Sequence, residues 1–128
     1  MKTKFSAKGH ENIVSSHSTT FEFTKEKDVT KQGHCIVGVE SNFDFQKLKK
    51  LNGKLKITIQ ADKIKEIIVA EKNPDFNDEK EIVIRTSSFS SPRTFAINAD
   101  KSSDDFSKEL KQKLKNLNTI ISVEIEDA

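Results

Sequence analysis

The feature that most constrains this chain is a period of two that returns along its length. From His17 to Thr24, His17, Thr19, Phe21 and Phe23 fall on one face and Ser18, Thr20, Glu22 and Thr24 on the other, the pattern of a strand with one buried face. Leu55, Ile57 and Ile59 alternate with Lys56, Thr58 and Gln60, and Ile82 and Ile84 with Val83 and Arg85. Arg93, Phe95 and Ile97 share one parity in a further strand, 93–97, and Ile120–Ile125 predicts the last. Cys35-Ile36-Val37-Gly38-Val39 is apolar on both faces, as in a central strand, and Gly38 there admits close approach of a neighbour. Residues 3–8 and 12–16 read as short extended segments, and the β-branched run Ile67-Ile68-Val69 favours a strand over 64–71.

Two segments carry the helical period instead. Phe45, Leu48 and Leu51 precede Asn52-Gly53, which predicts a short helix over 44–52 stopped by a left-handed residue. Phe106, Leu110, Leu114 and Leu117 form a stripe behind Ser102 and Ser103, with Asp104 and Asp105 in the first turn, which predicts a helix over 103–117. Roughly eight strands and two helices make a mainly β domain, a sandwich or a barrel. The 128 residues fit one domain, 1–128, able to bury most of its surface.

Composition narrows the functional classes. The net charge of +2 gives no global case for a nucleic-acid or anionic-membrane partner. No run has the length of a signal peptide or a membrane span, and the one cysteine forms no internal disulfide, so a cytoplasmic setting is expected. The chain has 20 Lys but only two Arg, Arg85 and Arg93. A rigid guanidinium fork grips carboxylate or phosphate in a way that Lys does not, which is a reason to keep Arg at a site; drift is the competing explanation.

All three histidines, His10, His17 and His34, and Cys35 lie within the first 35 residues. As zinc ligands they are badly spaced: adjacent His34 and Cys35 point to opposite faces of a strand, and no CxxC, HxxxH or HExxH pair occurs. No metal or cofactor is expected. Cys35 inside an apolar run reads as a small core residue, not a nucleophile. The strand triplets of a metal-dependent nuclease, a phosphate loop and a dinucleotide fingerprint are all lacking. Nucleic-acid binding through Arg85, Arg93 and Lys101 is not favoured, because the nine Phe mostly fall on apolar stripes and Trp and Tyr are absent.

Strand parity offers one site. His17 and Thr19 share a face with Phe21 and Phe23, and Arg93 shares one with Phe95 and Ile97. If the polar ends of these two inner faces meet, they line a polar mouth of the domain.

The run Gly9-His10-x-Asn12-Ile13, His17-x-Thr19-Thr20-Phe21-Glu22-Phe23-Thr24-Lys25, Thr30 and Gly33-x-Cys35-Ile36-Val37-Gly38-Val39 resembles the archaeal family called domain of unknown function 371. Asn73-Pro74-x-Phe76, Glu81-Ile82-Val83-Ile84-Arg85, Arg93-Thr94-Phe95 and Ala99-Asp100-Lys101 extend the resemblance over nearly the whole chain. In that family an acidic residue usually precedes the cysteine, so His34 departs from the pattern. The resemblance implies an archaeal origin and a single β-sandwich of jelly-roll type, and it implies no activity. Its polar motif residues, His10, Asn12, His17, Thr19, Thr20, Glu22, Arg85, Arg93, Asp100 and Lys101, are the candidate ligand-binding residues. The leading expectation is a non-catalytic module that binds a small anionic ligand or phosphate-bearing partner, with Arg93 as clamp and His17, Thr19 and Glu22 orienting it. The alternative is a hydrolase with His17 and Glu22 as acid and base, although parity sets Glu22 on the face opposite His17.

Overall fold

A computed structural model describes residues 1–128. Eight strands, β1 (Lys2–Lys8), β2 (Thr20–Thr24), β3 (Ile36–Gly38), β4 (Lys54–Ala61), β5 (Ile64–Lys72), β6 (Glu81–Arg85), β7 (Thr94–Ile97) and β8 (Ile120–Asp127), form one mixed sheet. Its order is β1-β8-β4-β5-β7-β6-β2-β3. Helix α1 (Phe45–Lys50) precedes β4, and α2 (Lys108–Leu114) precedes β8. The mainly β class is as expected, but the two stacked sheets of a jelly roll are replaced by one continuous sheet. Its two end strands meet: Lys8 and Val39 exchange both backbone hydrogen bonds, at 2.8 and 2.9 Å, just beyond β3. Asn42 fastens the same seam, donating its N–H to the Ser6 carbonyl and accepting the Ser6 N–H on Oδ1. This seam satisfies the outward edge groups of Ser6 and Lys8, which an open sheet would leave exposed.

The inward residues form one cluster of 29 buried side chains. Phe5 and Phe23 meet edge to face across the seam at 5.4 Å, and Phe21 packs on Phe106 at 5.2 Å. A Cβ on Gly38 would lie 2.7 Å from the Phe23 ring and 2.9 Å from Ala7 Cβ, so this position needs glycine.

Several expected elements change, among them the strand expected over 93–97, which begins only at Thr94 and leaves Arg93 outside it. The strand expected from His17 begins only at Thr20, because His17 turns locally: its Nδ1 accepts the Thr19 N–H, and its backbone is held by Ser103. Residues 12–16 form no strand. The helix expected over 103–117 is a 3-10 turn, Ser103–Asp105, followed by α2. Phe106 between them is extended, and Ser107 caps α2 by accepting the Leu110 N–H. Two successive serine-capped starts thus divide one apolar stripe. Leu117 drops out of the stripe and is exposed.

Two neighbouring pairs, β2 with β3 and β6 with β7, are parallel. A parallel pair cannot be closed by a hairpin, so residues 25–35 and 86–93 must cross from one end of the sheet to the other. Each crossover ends by placing a polar side chain beside β2: Cys35 from the first and Arg93 from the second.

Candidate functional site

The polar cluster begins at the middle of β2. Phe21 and Phe23 point inward, so Thr20, Glu22 and Thr24 must point out, yet all five residues of β2 are buried. On β6, Arg85, Val83 and Glu81 stand opposite Thr20, Glu22 and Thr24. Over this outward face lies Arg93. Its Nη2 donates to Glu22 Oε1 at 2.8 Å and its Nε pairs with Glu81 Oε1 at 3.1 Å. The Cys35 thiol donates to the same Glu22 oxygen at 3.6 Å.

Burial governs the chemistry of this group. The Glu22 side chain is 4% exposed, whereas Arg93 is 46% exposed. Loss of water pushes the Glu22 carboxyl from 4.5 up to about 7, and a hydrogen bond and like charge from Glu81 push the same way. Arg93 and the Cys35 thiol pull it back only in part. Glu22 therefore exchanges its proton near neutrality. Burial, and then the charge of Glu22, push the Cys35 thiol up to about 11, which keeps it protonated and unreactive. Cys35 is not the core residue that the sequence suggests: it precedes β3, is only partly buried, and its thiol lies against Glu22 on the outer face.

Arg85 occupies the other end of this face and is held differently. Its Nε donates to Thr94 Oγ1 at 2.9 Å, and Thr94 Oγ1 accepts the Ser91 N–H at 3.1 Å. The guanidinium lies 4.8 Å from the centre of the Phe89 ring. Every ion pair of Arg93 is to a carboxylate, and Arg85 has none.

The family model described as Domain of unknown function (DUF371) matches residues 5–127. The chain belongs to this family. An uncharacterized protein of the archaeon Methanocaldococcus jannaschii is 39% identical over 118 residues, covering 85% of this chain and 87% of the relative.

The polar motif residues of this DUF371 chain fall in four places. Thr20, Glu22, Arg85 and Arg93 come together on the outward face of β2 and β6. His17 and Thr19 lie just before β2, where the His17 carbonyl accepts from the Asp104 N–H and Ser103 Oγ. His17 makes no hydrogen bond or ion pair with Arg93 or Glu22. His10 and Asn12 tie two loops together. His10 Nδ1 accepts the Asn12 N–H, its Nε2 meets Asp28 Oδ1 at 3.2 Å, and Asn12 donates to the Val29 carbonyl.

Asp100 and Lys101 form the fourth group. Asp100 exchanges two hydrogen bonds with Val69, which continues the edge of β5 where β7 has ended. Lys101 pairs with Glu66 at 2.7 Å, and Glu66 accepts the Ser107 N–H beside the start of α2. His10, His17, His34 and Cys35 do not converge, and no group of three His, Cys, Asp or Glu is placed to hold one metal ion. The larger surface concavity, about 330 Å³, is lined by Leu55, Ile67, Val69 and chain-terminal residues, none of them from these four groups.

Sequence reasoning missed Glu81, Thr94 and Phe89. Glu81 left one signal: it stands two residues from Val83 on the alternating β6, and so faces outward with Arg85. Phe89 had none, because nothing in a turn-rich segment says whether an aromatic ring is covered.

Proposed function

We propose that this protein binds a small anionic ligand, or a phosphate-bearing partner, on the outward face of β2, β6 and β7, with Arg85 as the clamp. The role moves from Arg93 to Arg85 because the Nε and Nη2 of Arg93 already meet two carboxylates. The carrying observation is a half-buried guanidinium fixed at Nε by a threonine and free of any carboxylate. From Ile82 to Ala99 the chain holds two arginines and no acidic residue, which supports a local positive potential despite the small net charge. Below about pH 7 a protonated Glu22 leaves only Glu81 to balance Arg93, so the face gains positive charge as the pH falls.

Inorganic phosphate and sulfate serve as probes, followed by chemical shifts of the Arg85 Nε–H and of the Ser87–Ser91 amides. Binding is expected at millimolar concentration and weaker in Arg85→Lys because the bidentate fork is lost; sulfate, whose charge is the same at both values, should bind several-fold tighter at pH 6 than at pH 8. No shift at either pH overturns the reading.

A second reading has one specific observation in its favour. Glu22, with a carboxyl near 7 and Glu81 beside it, has the character of a general acid. In that reading Glu81 takes the place that the sequence assigned to His17. Turnover of a phosphoester or ester panel that disappears in Glu22→Gln but persists in His17→Ala would favour it over simple binding.

A further inference from the structure

We infer that the anionic ligand is a nucleotide unit, its base stacked on Phe89 and its phosphate held by Arg85. This inference rests on the anion-binding reading above and adds the chemistry of the rest of the ligand. Of nine Phe, Phe89 alone is exposed, at 60%, while seven others are buried and Phe45 is half-covered. It stands on the 86–93 crossover, in the acid-free stretch, with Ser87, Ser88 and Ser90 around it.

The crossover is built, not loose. Thr86 N–H donates to the Thr19 carbonyl at 2.8 Å, Asn98 N–H to Ser87 at 2.9 Å, and Asn77 N–H to Pro92 at 2.7 Å. Ser87 Oγ accepts the Phe89 N–H at 3.3 Å, which fixes the turn that carries the ring. Arg85 lies against that ring, so the guanidinium and the aromatic surface are presented together. A hydrogen-bonded loop that offers an open aromatic ring, a guanidinium without an ion pair and several hydroxyls, and that carries no acidic residue of its own, matches the two ends of a nucleotide. Aromatic stacking tolerates every base, so the inference is to a nucleotide unit and not to one base. That unit is either free or part of a single strand.

The test compares inorganic phosphate, adenosine, adenosine monophosphate and a five-nucleotide adenine strand on the intact chain, by calorimetry and by amide shifts of residues 85–94. Adenosine monophosphate is expected to bind roughly 10-fold tighter than phosphate. Phe89→Ala should return it to the phosphate level, and Arg85→Lys should weaken both. Equal affinity for phosphate and nucleotide overturns the nucleotide inference and leaves the anion site standing. Absence of all binding overturns both. If the nucleotide binds, a strand that gains far more than its number of units identifies a single-stranded partner, and one that does not identifies the free nucleotide; either result supports the inference.

Discussion

The outward face of this sheet has two unlike halves. Along β4 burial alternates residue by residue, and along most of β8 it does the same; the outward side chains, Lys54, Lys56, Thr58 and Gln60 with Ser122, Glu124 and Glu126, are open or half-open to water, and Lys2 and Lys4 of β1 reach the two glutamates. Lys4 meets Glu124 at 3.5 Å and Lys2 meets Glu126 at 3.5 Å; both lysines and Glu126 are well exposed and Glu124 is about a third exposed, at 32%. Along β2 and β6 the alternation of residue type persists but the alternation of burial disappears. There the same kind of pair, Arg93 with Glu22, has one partner almost wholly withdrawn from water. Both halves place charges on a strand's outer side, but only the half crossed by residues 25–35 and 86–93 changes what those charges do. In water, pairing is screened and weak; under cover, desolvation dominates and pushes a carboxyl from 4.5 up to about 7.

That contrast can be tested most sharply through Glu22. Its carboxyl is higher in the folded chain, about 7, than the 4.5 of an exposed Glu, so folding takes up a proton between those values. The stabilisation from protonated Glu22 is full below pH 4.5 and is lost as the pH rises through 7. Glu22→Gln should abolish this slope. By urea unfolding, the variant should gain on the native chain by on the order of 2 to 3 kcal/mol between pH 5 and pH 8. Parallel pH profiles would show that Glu22 is no more withdrawn than Glu124.

A smaller effect is expected from Arg93→Met at pH 8, where Glu22 is ionised. Removing the guanidinium leaves a buried carboxylate with only a thiol donor, which should cost about 2 kcal/mol after allowance for the half-exposed arginine. The cost should shrink at pH 5, when Glu22 carries its own proton. The smallest effect belongs to the open half: Lys4→Ala should change stability by under about 0.5 kcal/mol and should show no pH dependence near neutrality. A cost near that of Arg93→Met would erase the distinction between the halves.

Much of this architecture was legible. The alternating runs located β4, β6 and β8, the β-branched run chose a strand at β5, and Asp44 accepts the Lys47 N–H at the start of the expected first helix. The polar mouth built from His17, Thr19 and Arg93 was misread for one reason: strand parity was extended through residues that are not in strands. His17 lies before β2 and Arg93 before β7, and a residue outside a strand is released from its alternation. Glu22 was correctly set opposite Phe21 and Phe23, and that outer side is where Arg93 arrives.

The chain's own pattern determined which segments extend, which face of each is apolar, and membership in a family without an assigned activity, because these depend on local spacing and residue type. Closure of the sheet at Lys8 and Val39, the meeting of Glu22 with Glu81 and Arg93, and the exposure of Phe89 were decided only in three dimensions. Each depends on which strands become neighbours and on where two crossovers lie. Pairing between distant segments is set by the best joint burial of all the apolar faces, a property of the assembled core that no single segment carries.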